Sequence, residues 1–79
     1  MADIKFEIVK HLATLSENAK GWTRELNLVS WNSRKAKLDI RDWDENHEKM
    51  GKGITLNREE AESLLNSLKE ADFDSLDID

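Results

Sequence analysis

The chain has 79 residues, room for one domain and not two, and so short a chain buries only a modest share of its surface. It contains no cysteine and no obvious metal-binding cluster. Disulfide and zinc staples are therefore excluded, and self-association is the remaining common device for a domain this small. The formal net charge of -5 argues at first against a nucleic-acid partner, and no apolar run approaches membrane-spanning length.

Charge read by region changes that first impression. Residues 1–19 hold two basic and three acidic side chains, residues 20–58 nine and six, and residues 59–79 one and eight. The acidity belongs mainly to the C-terminal part. The middle is mildly basic and contains all three tryptophans, Trp22, Trp31 and Trp43. Met1-Ala2-Asp3 has the form of an ordinary cytoplasmic start with no signal peptide. The expected location is the cytoplasm, on the nucleoid if the source is bacterial, and no membrane partner is expected.

The first predicted element is a strand over "IKFEIVKHLATLS". Phe6, Ile8 and Leu12 share one parity and Val9, Ala13 and Leu15 the other, which suits a strand covered on both faces or one carrying a bulge. "ENAKG" reads as a turn in which Gly21 is free to take a left-handed conformation. "WTRELNLVSWN" is a second strand, "SRK" a tight polar connection, and "AKLDIRDW" a third strand. In that third strand Ala36, Leu38 and Ile40 take one face and Lys37, Asp39, Arg41 and Trp43 the other. "DENHEKMG" is a polar loop and "KGITL" a short fourth strand. A helix then begins at Asn57, whose side chain caps the first turn while Glu60 completes a capping box. Ala61, Leu64, Leu65, Leu68 and Ala71 form its apolar stripe, with Leu38, Ile40, Ile54 and Leu56 expected beneath it. The order is four antiparallel strands followed by one helix, an α+β domain over residues 1–71. Residues 72–79 form an acidic tail, "DFDSLDID".

The face of the third strand that carries Arg41 and Trp43 holds the most chemistry. Cations alternating with an indole suit single-stranded nucleic acid, because bases stack on the ring while cations follow the phosphates. The alternative is a solvated face whose Trp43 packs in a dimer interface. Trp31 shares parity with Val29 and Asn27, so it faces outward with Trp43 or sits partly in a core. Trp22 and Arg24 share parity with Leu26 and Leu28, which requires a bulge near Glu25 or a position beyond the helix edge. Lys49 and Lys52 flank Met50 and Gly51, either as a phosphate-approaching glycine loop or as a turn with solvated lysines; no Walker-type phosphate loop is present. His11 and His47 lie far apart, and Ser16, Ser30 and Ser33 have no partner context, so no catalytic residue is assigned. Asp39, Asp42, Asp44 and Glu48 read as a solvated acidic group rather than a metal site.

Together, "VSWN", "KLDIRDW" and "KGITLNREEAESLLNSL" resemble the positive cofactor four family, transcriptional coactivators with a single-stranded DNA-binding domain. The likeness is nearest to its small bacterial, YdbC-like branch and runs over roughly residues 5–70. The resemblance implies a curved four-stranded antiparallel sheet, a C-terminal helix, and a homodimer formed through helices and sheet ends. It also implies that Trp31 is a base-stacking aromatic, Lys35 a basic turn residue, Arg41 the arginine of the "DIR" motif, and Trp43 the aromatic beside it. Lys52 matches the lysine before "GITL". Val29 and Trp22 stand where relatives carry basic residues, "EKMGKG" lacks the proline of eukaryotic members, and the serine-rich regulatory extension is absent, which weighs against coactivation more than against DNA binding.

The expected nucleic-acid-binding set is therefore Trp31, Lys35, Lys37, Arg41, Trp43, Lys49 and Lys52, with Arg24 and Trp22. The expected dimer interface is Leu64, Leu65 and Leu68. Expected partners are single-stranded DNA or RNA, a second copy of the chain, and transcription or repair proteins; no cofactor or metal is expected. The rival reading is a protein-interaction module that presents the acidic helix and tail. The tail itself reads as a solubilising segment, or as a competitor in which Asp72, Asp74, Asp77 and Asp79 contend with DNA for the basic face.

Overall fold

The second and third strands follow the alternation of their sequences; the first does not, and the fourth slips by one residue against the third between Gly53 and Met50. The computed structural model describes residues 5–79; the expected start of the first strand at Ile4 lies outside them. The elements are β1 (Phe6–Glu17), β2 (Thr23–Trp31), β3 (Lys37–Trp43), β4 (Met50–Leu56) and α1 (Arg58–Glu70). The strands form one open antiparallel sheet in the order β1-β2-β3-β4.

The turns follow from local chemistry. Gly21 takes a φ of +85°, where a Cβ would run into the side chain of Glu45. Asn18 Oδ1 accepts from the amides of Lys20 and Trp22 at 2.9 and 3.0 Å, fixing the same turn. Asn32 and Ser33 both take positive φ, 51° and 63°, to reverse the chain between β2 and β3. Asp44 Oδ1 accepts from the amides of Glu48 and Lys49 at 2.8 and 3.0 Å and orders the β3–β4 loop.

β1 carries three register shifts against β2: between Ile8 and Lys10, His11 and Ala13, and Thr14 and Ser16. Each skips one residue, so Val9, Leu12 and Leu15 are the extra residues of three bulges. Bulges bend a strand and raise its twist. They also overturn the parity expected for β1, because Leu12 no longer shares a face with Phe6 and Ile8. Phe6, Ile8, His11 and Thr14 now lie opposite Trp31, Val29, Asn27 and Glu25. β2 pairs with β3 without a shift from Thr23 to Val29, so the bulge considered near Glu25 belongs to β1 instead.

The bending rolls the sheet. Phe6 pairs with Trp31 and Trp43 with Thr23, eight residues apart along β2, about 26 Å of flat strand. Yet the Phe6 and Trp43 ring centroids are 5.1 Å apart, and those of Phe6 and Trp31 are 6.1 Å apart. Side chains from both ends of the sheet meet inside the roll. The fully buried set is Val29, Trp43, Asn27 and Asp39, with Glu25 4% exposed, all on the face away from the helix. The face read from sequence as solvent-facing is the more deeply buried of the two.

Asn57 caps α1 as expected: Glu60 N donates to Asn57 Oδ1 at 2.8 Å, and Asn57 N donates to Glu60 Oε1 at 2.9 Å. The stripe lies over Leu26, Leu38, Ile40 and Leu56, but loosely. A cavity of about 230 Å³ separates helix from sheet, and no helix residue is buried. Leu64, Leu65 and Leu68 remain 40%, 51% and 50% exposed, as do Leu15 and Ile54 at 54% and 55%.

Candidate nucleic-acid interface

Inside the roll, polar side chains fix the aromatic ones. Asp39 is fully buried and paired with Arg41, whose Nε and Nη2 donate to its two carboxylate oxygens at 2.7 and 2.9 Å. Thr55 adds a third donor at 3.1 Å. A bidentate guanidinium–carboxylate pair fixes the orientation of both groups. Arg41 is thereby held with its guanidinium carbon 4.8 Å from the centroid of the Trp31 ring, in cation–π range.

Trp31 stands half-buried at the lip of the hollow, beside the β2–β3 turn that carries Arg34, Lys35 and, at the start of β3, Lys37. All three cations are exposed. Ser30 Oγ donates to the Arg34 carbonyl at 2.6 Å and ties the turn to the end of β2. Arg34, read from sequence only as part of the connection "SRK", belongs to this group; its signal is the cationic pair Arg34-Lys35 just after Trp31. Lys49 and Lys52 are exposed further along, on the β3–β4 loop and β4.

Trp43, Arg24 and Trp22 lie elsewhere, and Arg41 is at the site but not turned outward. Trp43 is 0% exposed, packed against Phe6 and 5.6 Å from the His47 ring, so it is an interior residue and offers no face for stacking. Arg41 shares Trp43's face, but its side chain is 14% exposed and committed to Asp39; it mounts Trp31 rather than reaching outward. Arg24 is exposed, but it lies on the helix side and pairs with Asp42 at 3.0 Å, away from Trp31. Trp22 is half-buried at the β1–β2 turn. For Trp43 and Arg41 the reason is that alternation gives the face of a residue but not the curvature that closes that face on itself; Arg24 stays on the parity of Leu26, on the helix side.

Of the four acids read as a solvated group, Asp39 is buried on Arg41, Asp42 pairs with Arg24 and Asp44 accepts from loop amides, while Glu48 stays exposed. Among the described residues no group of three or more His, Asp or Glu side chains is placed to hold a metal. A second interior network joins distant elements. Asn27 Nδ2 donates to Glu25 Oε1 at 3.0 Å, and His47 Nε2 donates to Glu25 Oε2 at 2.9 Å. His11 Nδ1 donates to Asn27 Oδ1 at 2.7 Å, which leaves its Nε2 to accept from the Thr14 hydroxyl at 3.2 Å. Burial alone would raise the Glu25 pKa, but donors from Thr23, Asn27 and His47 outweigh it and hold the carboxyl below its ordinary value.

The glycines before the helix also have a structural cause. A Cβ on Gly53 would fall 3.0 Å from Arg41 Cα, and closer still to Arg41 Cβ and the Ile40 carbonyl oxygen. Gly53 thus lets β4 close against Arg41, whose Nη1 then donates to the Gly51 carbonyl at 3.3 Å. The close approach expected toward a ligand backbone is made instead to a neighbouring strand.

An α+β domain of one rolled antiparallel sheet and one loosely seated helix, with a mounted indole beside a cationic turn, is the class these features define. The sequence matches the family model described as Transcriptional Coactivator p15 (PC4) over residues 18–67. It is also 42% identical over 72 residues to an uncharacterized protein of Treponema pallidum (strain Nichols), covering 91% of this chain and 85% of that protein. The chain belongs to the PC4 family, which is associated with single-stranded DNA binding and transcription coactivation.

Proposed function

We propose that this protein is a homodimeric, non-sequence-specific single-stranded DNA-binding protein, serving transcription or DNA replication and repair, and not an enzyme. The observation that carries the reading is Trp31: a half-buried indole held against Arg41 at 4.8 Å, followed in the chain by the exposed cations Arg34, Lys35 and Lys37. A pre-positioned ring loses little freedom on stacking a base, and every base offers a π-face, so sequence preference is weak. The turn lysines neutralise adjoining phosphates, and Lys49 and Lys52 extend the cationic path. Arg41 and Asp39 keep the ring in place without touching the strand.

The dimer is supported by the helix side. A cavity of about 230 Å³ and a stripe of half-exposed leucines leave apolar surface that a second copy covers, with Leu64, Leu65 and Leu68 at the contact. The test of the site is intrinsic fluorescence. Adding oligo-dT quenches the tryptophan emission of the wild type, and Trp31→Phe abolishes most of the quench because Trp43 is sealed inside. Equal quenching in Trp31→Phe would remove Trp31 from the interface.

A further inference from the structure

On the helix side, a groove of about 500 Å³ opens between the β2–β3 turn and the first turns of α1. Leu28, Ala36, Leu38, Ala61 and Leu65 line it with apolar surface. Lys35, Lys37 and Arg58 line it with positive charge, and Glu62 with the single carboxylate. Arg58 engages Glu62 at 2.9 Å, but both side chains are largely exposed. The adjoining helix N-terminus adds a partial positive charge.

At the opposite end of α1 the chain leaves the helix at an extended Ala71. Asp72 then organises a turn: its Oδ1 accepts from Asp74 N at 3.2 Å and its carbonyl from Ser75 N at 3.0 Å. Phe73, Leu76 and Ile78 project from this segment 56%, 46% and 64% exposed, interleaved with Asp72, Asp74, Asp77 and Asp79. Acid alternating with apolar groups is the complement of an apolar groove with a cationic lining.

We propose that residues 72–79 of one protomer dock in the Lys35–Lys37–Arg58 groove of a second copy. This rests on the dimer proposed above. Two helices paired across a two-fold axis perpendicular to them run antiparallel, which sets the partner's Ala71 beside this helix's Arg58. The chain's own tail starts at the far end of a 13-residue helix, about 20 Å away, so the exchanged arrangement is the shorter reach. Docking buries Phe73 and Leu76 against the groove floor and places aspartates on Lys35 and Lys37, two of the exposed cations that follow Trp31 in the chain. A nucleic-acid strand and the partner's tail then contend for the same two lysines.

The chain has no cysteine, so introduced thiols report cleanly. Full-length Ala36→Cys and Ser75→Cys chains are mixed and oxidised, with mass followed by light scattering. The expected result is a dimer by mass and a mixed disulfide between the two variants, its yield falling by half or more when salt screens the ion pairs. A dimer with no mixed disulfide overturns the docking and leaves the dimer standing; a monomer overturns the dimer and the docking with it. A bridge formed only within one chain of the Ala36→Cys/Ser75→Cys double variant assigns the groove to the protomer's own tail and overturns the exchange. Should Ala36→Cys fail to fold, Phe73→Ser/Leu76→Ser in the full chain serves instead. It is expected to shift the Ala36 and Ala61 methyl resonances, and unchanged resonances overturn the proposal.

Discussion

Trp31 and Trp43 carry the same ring into the same hollow, yet one stays half-buried and the other is sealed. Their substitutions separate binding from stability. Trp31→Ala weakens single-stranded DNA binding by roughly 1–3 kcal/mol with a smaller loss of folding stability. Trp43→Ala removes a fully buried side chain and costs about 3–5 kcal/mol of stability, comparable to the whole stability of a small domain. Urea melts beside anisotropy titrations check both, and binding lost equally in two well-folded variants would contradict the assignment. Glu25 carries a pH signature. Its folded pKa lies below its unfolded one, so it contributes stability that is full above about pH 4.3 and lost as pH falls through the folded value. Glu25→Gln is expected to be less stable than wild type at neutral pH and to show a flatter loss across that acid window, as measured by thermal melts at stepped pH.

At the scale of elements, β4 closes on β3 only because Gly53 lacks a Cβ. Gly53→Ala forces β4 off Arg41, at a cost of about 1–3 kcal/mol by overpacking. In Gly51→Ala the new methyl meets nothing nearer than Asp42 Cβ at 3.5 Å, and the change is neutral or stabilises by about 0.4–1 kcal/mol through the unfolded chain. Denaturant midpoints of the two variants, ordered the other way, would contradict this packing. The capping box at Asn57 and Glu60, the alternation of β3 and the left-handed Gly21 were all legible, because each depends on residues within a few positions. The roll was not. It arises from three bulges in β1, whose trace in the sequence is an apolar period of three at Val9, Leu12 and Leu15, and a reading by twos assigns Leu12 to the wrong face. Without that curvature, Asp39, Arg41 and Trp43 look like a solvated surface, although a carboxylate–guanidinium pair two residues apart equally describes a satisfied interior.

For the whole molecule, a net charge of -5 coexists with a cationic turn because the acids are concentrated in α1 and the tail. The proposed association through the helix stripe is tested at this scale. Leu65→Glu, introducing charge at a half-exposed leucine between helix and sheet, is expected to shift the mass in light scattering toward monomer and to lower the melting temperature. A wild type that is monomeric and well folded at micromolar concentration would contradict the dimer. Local cations on an acidic molecule also make binding strongly dependent on salt, with log K falling by about 0.7 per phosphate neutralised for each decade of salt. The most direct test of the central claim is a fluorescence-anisotropy titration of the full chain, over a salt series, with labelled single-stranded DNA, duplex of the same sequence and the matching RNA. The account predicts that single-stranded DNA binds more tightly than duplex at every salt concentration, with a linear fall in log K that becomes shallower in Lys35→Ala/Lys37→Ala. Equal affinity for single strand and duplex, or a salt slope that the double variant leaves unchanged, would contradict it.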